Sequence, residues 1–258
     1  MSVLGVAGFA AVAWMPGGTE ELSNEAGAIA SAEPSPERSR RSPSAGSTRS
    51  PSASPSTSPN KPSPSSSPVT IPETGPGTFT TASGGSGKVG KGVPLRYRVD
   101  VEKGLSLSAA DVAEQVERIL ADPRGWTADG DSAFQRVAGG HTDFVVKVAT
   151  PGTVDDICGA AGLNTRGEVN CNVGRNVMVN LKRWELATPV YAKDVKAYRA
   201  LIINHEVGHF LGHGHVGCPG KGRPAPAMMQ QIKGMNGCVP NVWPYDTKGR
   251  LVTGPAVP

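Results

Sequence analysis

Asn204-His205-Glu206-Val207-Gly208-His209-Phe210-Leu211-Gly212-His213-Gly214-His215 is the stretch on which the reading of this chain turns. His205 and His209 stand four residues apart, so on a helix they project from one face and can share one ion. Glu206, the next residue round, brings a carboxylate beside the open position where a metal-bound water sits. Gly212 and Gly214 free the backbone for a sharp turn after the helix, which lets His215 reach back as a third ligand. Three imidazole nitrogens suit zinc (Zn2+) better than magnesium or calcium, which take oxygen ligands. A plainer reading competes. His205 and His209 share a helical stripe with Tyr198, Leu201 and Ile202, and histidines on apolar stripes are often hydrogen-bonded core residues. Five fixed positions, rather than His-Glu-x-x-His alone, favour the metal. His213 has the wrong spacing for the third ligand and is read as part of the surroundings of the site.

With His205, Glu206, His209, Gly212 and His215 in place, the stretch resembles the His-Glu-x-x-His-x-x-Gly-x-x-His signature of the metzincin zinc peptidases. The resemblance implies a methionine turn beneath the metal, for which Ala225-Pro226-Ala227-Met228-Met229 offers Met228 ahead of Met229. Several metzincins carry a tyrosine two residues after that methionine, whereas Gln230 and Gln231 occupy the region here. The run from Asp122-Pro123-Arg124-Gly125-Trp126 to Gly237-Cys238-Val239-Pro240-Asn241 is similar to a group of secreted, metzincin-like actinobacterial proteins that form a domain of unknown function. Together the likenesses cover residues 91–245.

What the resemblance implies is a zinc metalloendopeptidase, secreted or anchored at the surface. Zinc would lower the pKa of its water, and Glu206 would take the water's proton as general base and return it to the leaving amine. The partner is a peptide or protein substrate, a cell-wall peptide among the compatible ones, and a monomer is expected. Two alternatives belong to other classes. A non-catalytic zinc-containing extracellular binding module would need the three histidines but not Glu206. A metal-dependent hydrolase of a non-peptide substrate would need a closed pocket rather than a groove along a strand edge.

The remainder of the chain is delivery and scaffold. Its 258 residues carry a formal net charge of +4 with the basic side chains scattered, which gives nucleic-acid binding no support. Residues 3–15 form an uncharged apolar run, shorter than a bilayer span, with Ala11-Val12-Ala13 as a cleavage box. Residues 1–30 are therefore expected to be a signal peptide or the end of a membrane anchor. Either one exports the chain, as an extracellular protein or one held at the outer face of the cytoplasmic membrane. Residues 31–86, rich in Ser and Pro, bury too little apolar surface to offset the entropy of ordering and read as a disordered linker. The glycines from Ser83 to Gly92 read as flexible, and the folded domain is placed at 87–258.

Within that domain Leu95-Arg96-Tyr97-Arg98-Val99-Asp100-Val101-Glu102 alternates as a half-buried strand does. Ser108 caps a helix striped by Val112, Val116, Ile119 and Leu120, and Asp122-Pro123 stops it. Strands are expected near 134–137 and 144–149, the second ended by Pro151, and at Asn176-Val177-Met178-Val179-Asn180-Leu181 as a candidate edge strand. Asp194 opens the histidine helix and Gly212 ends it. The fold class is α+β: a twisted mixed sheet under two helices, the second carrying the ligands, which agrees with the metzincin-like (zincin) fold. A small irregular C-terminal subdomain follows.

Four cysteines in an exported chain are expected to brace it. Three connectivities are open, and the spacing prefers Cys158 with Cys171 and Cys218 with Cys238. Trp126, Trp184 and Trp243 read as core rather than ligand platforms. Tyr191 and Tyr245 are the tyrosines considered for polarising a substrate carbonyl.

Overall fold

The structure is a computed structural model that describes residues 69–257. The expected signal or anchor at 1–30, and the linker as far as residue 68, lie outside the described residues. The elements run β1 (Phe79–Thr81), β2 (Val89–Gly90), β3 (Pro94–Glu102), α1 (Ala109–Ala121), β4 (Ala133–Arg136), β5 (Phe144–Ala149), α2 (Pro151–Gly159), β6 (Cys171–Val173), β7 (Asn176–Asn180), α3 (Leu181–Leu186) and α4 (Val195–Phe210). Three short 3-10 turns, Trp126–Asp129, Pro189–Tyr191 and Gln231–Lys233, complete them.

The architecture is α+β with a mixed sheet of seven strands, in the order β2-β4-β3-β5-β7-β6 with β1 added against β3. β4, β3, β5 and β7 are parallel to one another, while β1, β2 and β6 join antiparallel. α1 and α4 cover one face. Their apolar stripes meet Tyr97, Val99 and Val101 of β3, Val146 and Val148 of β5, and Val177 and Val179 of β7 in one core. α2 lies on the other face, where Val154 packs with Met178 and Ala149. The caps of α1 and α4 are those expected: Ser108 accepts from the Asp111 amide at 3.3 Å and Asp194 from the Ala197 amide at 2.9 Å. Gly212 takes φ +92° directly after α4, a conformation that favours glycine.

β3 departs from its expected environment. Alternation predicts one wet face, yet Asp100 and Glu102 are buried. Strands on both flanks put β3 near the middle of the sheet, and residues 75–82 fold over its polar side. The Glu102 carboxyl accepts from the Gly77 amide at 2.7 Å, the Thr150 amide at 2.7 Å and the Thr153 hydroxyl at 2.6 Å. Asp100 accepts from the Thr81 hydroxyl at 2.8 Å. These bonds satisfy carboxyls that would otherwise be destabilising in the interior.

The domain boundary at 87 is corrected by the same observation. β1 precedes it, and Ala82 is buried. Nor do the glycines of 83–92 act as a flexible spacer where the backbone passes close to its neighbours. A Cβ on Gly90 would lie 2.2 Å from the Ser132 carbonyl oxygen, and one on Gly92 only 1.6 Å from that of Asp131. A stretch poor in apolar residues is ordered here by strand pairing and buried carboxyls, which leave no hydrophobic period to read.

Further corrections concern short elements. β7 is not the edge strand: β6 pairs beyond it, through a hairpin whose Gly174 takes φ +55°. Two helices beyond those expected appear. α2 starts at Pro151, read from sequence as a strand terminator but sited where a helix tolerates proline, with Thr150 as N-cap. α3 starts where β7 ends, because the Asn180 side chain accepts from the Lys182 amide at 2.9 Å.

After α4 the chain is irregular, as expected, apart from the Gln231–Lys233 turn and isolated bridges such as Val216 with Ala256. Both neighbour disulfides are present, Cys158–Cys171 joining α2 to β6 and Cys218–Cys238 closing the loop that contains Met228. Two disulfides accord with an oxidising compartment. Among the described residues no helix is long and apolar enough to cross a membrane. Trp126 and Trp184 are buried, and Trp243 is half-buried under the Arg124 guanidinium, 4.4 Å from its ring centroid.

Candidate metal centre

α4 delivers His205, Glu206 and His209 from one stripe, and the Gly212 turn returns His215 to the same point. The three Nε2 atoms form a nearly equilateral triangle with edges of 3.0, 3.2 and 3.3 Å. A tetrahedral ion with bonds of about 2.0–2.1 Å to nitrogen requires edges of about 3.3 Å.

Tautomers decide what those nitrogens can do. His205 Nδ1 lies 2.8 Å from the Ala227 carbonyl oxygen, and His209 Nδ1 lies 2.9 Å from that of His213. A carbonyl oxygen only accepts, so each Nδ1 carries the proton and donates it. The Nε2 of both rings is then a bare lone pair, and two lone pairs 3.2 Å apart cannot hydrogen-bond to each other. Protonation is no remedy, since burial and the neighbouring His209 push His205 down to about 3. Burial also holds His209 and His215 below the usual imidazole value. The residues present thus fit a nitrogen-bound cation, with the backbone carbonyls aiming two of the three rings.

Glu206 is buried on the same side, and lack of solvation alone pushes its carboxyl up to about 8. A cation held by the three imidazoles would bring that value down, because a nearby positive charge favours the ionised form. Met228 packs against α4. Gly208, between the two helical ligands, has no Cβ, and one placed there would meet Met228 Sδ at 2.3 Å and the Trp126 ring at 2.7 Å. The methionine expected under the site therefore packs directly on α4 between His205 and His209, and the preceding carbonyl orients His205.

A groove of about 410 Å³ opens from the ligands. One wall is the 163–172 segment leading into β6, whose outer edge has no strand partner among the described residues; another is the turn from Met229 to Lys233. Its floor is the stripe of Tyr198, Leu201 and Ile202, the residues that sequence alone suggests are ordinary core. The 163–172 wall escaped sequence reading because its shape depends on Cys158–Cys171 and on bonds such as that from the Gly167 amide to Asp155, at 2.8 Å.

With the site drawn, residues 64–246 match the family described as protein of unknown function, DUF3152. The chain belongs to the DUF3152 family. Searches among the curated proteins and among solved structures return no match.

The tyrosines considered from the sequence stand elsewhere. The Tyr191 hydroxyl is buried and donates to Gln231 Oε1 at 2.6 Å, and Tyr245 meets the Trp126 ring edge-on at 6.3 Å. Neither lines the groove; Tyr198 does. Gln231 is also turned inward, its amide donating to the Pro226 and Asn241 carbonyls at 3.1 and 2.8 Å, so it braces the methionine turn. His213 stacks on Trp126 with ring centroids 4.3 Å apart and belongs to the surroundings of the site, as its spacing implies.

Proposed function

We propose that this DUF3152 member is a zinc-dependent peptidase of metzincin-like fold, acting outside the cytoplasm as a secreted or surface-anchored protein. The observation that carries the reading is the convergence of three Nε2 atoms, two of them fixed as lone pairs, beside a buried carboxyl at the end of an open groove. His205, His209 and His215 would hold the ion. When bound, zinc acidifies a coordinated water and polarises a carbonyl as a Lewis acid.

The chain's own residues do the rest. Glu206, ionised once the cation is present, takes the proton of the attacking water and delivers it to the amide nitrogen that leaves. The Ala227 and His213 carbonyls keep two imidazoles aimed through the cycle, and Met228 packs on α4 at Gly208, between the two helical histidines. The free edge of β6 offers backbone groups to an extended peptide, which would lie along the groove as an added strand. An open groove with such an edge favours a peptide over a small non-peptide substrate.

The test is to incubate the zinc-loaded chain and its Glu206→Gln variant with a diverse peptide mixture and to follow products by mass spectrometry. Glu206→Gln should retain one zinc and lose at least ~10²-fold in rate, the usual contribution of a general base. Equal rates from both would remove Glu206 from the chemistry. No products from either, with zinc bound, would leave the zinc-containing binding module as the better description.

A further inference from the structure

Tyr198 is the side chain that the proposed chemistry leaves unused and the groove leaves uncovered. It lies two helical turns before Glu206 on the stripe that forms the groove floor, roughly 12 Å along the helix axis at 1.5 Å per residue. The residue is only 3% exposed. Its hydroxyl has no hydrogen-bond partner among the described residues and is not among the sealed polar atoms, and the residue lines the groove.

The surroundings explain why no partner comes from within the chain. Arg183, the cation whose charge reaches Tyr198, already spends its donors on Glu168 and on the Glu168 and Ala187 carbonyls. Glu206 also acts on the phenol from the ligand end of the stripe, and burial holds it protonated, with its pKa pushed up to about 12. The ring is fixed against Tyr191, centroids 5.3 Å apart, and Tyr191 is in turn tied to Gln231. A neutral hydroxyl thus stands at a set position on a floor shared with Leu201 and Ile202, with Ile232 on one wall.

We propose that Tyr198 Oη is a specificity-determining group, and that the groove takes a long, neutral side chain with a hydrogen-bonding tip, tyrosine foremost, from a residue flanking the scissile bond. The apolar floor of Leu201 and Ile202 accepts a ring. A charged tip would lose its water on reaching this buried phenol, whose hydroxyl is itself neutral. A tip with no polar atom would cover the hydroxyl and leave it unpaired, the circumstance in which sites discriminate most strongly. The inference rests on the peptidase reading only for the bond that the side chain flanks.

Binding without turnover separates the two ideas. The full-length zinc-loaded Glu206→Gln chain is titrated by calorimetry with two blocked hexapeptides, alanine throughout save for one central tyrosine or phenylalanine. The tyrosine peptide should bind about tenfold more tightly. Adding Tyr198→Phe should bring the two to parity and leave the melting temperature unchanged, since that hydroxyl bonds none of the described residues. Parity before that substitution, a preference that survives it, or no binding of either peptide overturns the proposal. If the preference is found but the parent chain leaves the tyrosine peptide uncut, the pocket stands and the peptidase reading falls.

Discussion

At the scale of the residue, Glu206 and His205 carry opposite pH signatures in metal-free protein. The Glu206 carboxyl is raised to about 8, so between its ordinary value and 8 the folded chain keeps a proton that the unfolded chain has lost. Stability from this group is present at low pH and is lost as pH rises towards 8. His205, lowered to about 3, works the other way: the unfolded chain binds its proton first, and stability is lost as pH falls below the usual imidazole value. Above that value only Glu206 remains in play. Between about pH 6.5 and 8 the chelated parent should therefore lose ~2 kcal/mol relative to chelated Glu206→Gln, which has no proton to release. Urea unfolding of both proteins across that range measures it. Parallel profiles would mean that Glu206 is far better solvated than its burial indicates.

Elements differ in how far their sequences disclose them. α4 was legible because its ligand spacing, its Asp194 cap and its Gly212 terminus all point to one helix. β5 was legible from its apolar run, and α1 from Ser108 and its stripe. β1, β2 and β6 were not, since strands of two or three residues hold no period and exist through their partners. The site divides likewise: its ligands lie in one short stretch, whereas the Ala227 carbonyl and the 163–172 wall are joined to it only by folding. A prediction follows for the N-terminal boundary. A chain starting at residue 87 lacks β1, the Gly77 amide on Glu102 and the Thr81 hydroxyl on Asp100. Leaving buried acidic groups short of donors costs about 1–3 kcal/mol each. Compared with a chain starting at residue 69, it should unfold at clearly lower urea or fail to stay soluble; equal midpoints would show these contacts to be dispensable.

For the whole molecule, the metal is expected to act as a stabiliser as well as a reagent. An ion bound to the native state alone, at about a thousand times its dissociation constant, adds ~4 kcal/mol. For a domain of this size that is roughly 8–16 °C in melting temperature. Scanning calorimetry with zinc and with chelator should show the difference, and His215→Ala should shrink it sharply. A melting curve indifferent to chelator would argue that the three imidazoles hold no ion.

The bond from His205 to the Ala227 carbonyl also bears on how the protein matures. The three ligands leave the ribosome together, but the group that aims the first of them lies inside the loop closed by Cys218–Cys238. Until that loop has docked, His205 is free to carry its proton on the nitrogen that should face the ion. Oxidation and metallation are therefore expected to be ordered: the thiols close first, outside the reducing cytoplasm, and the site proposed to hold the ion is completed by that closure.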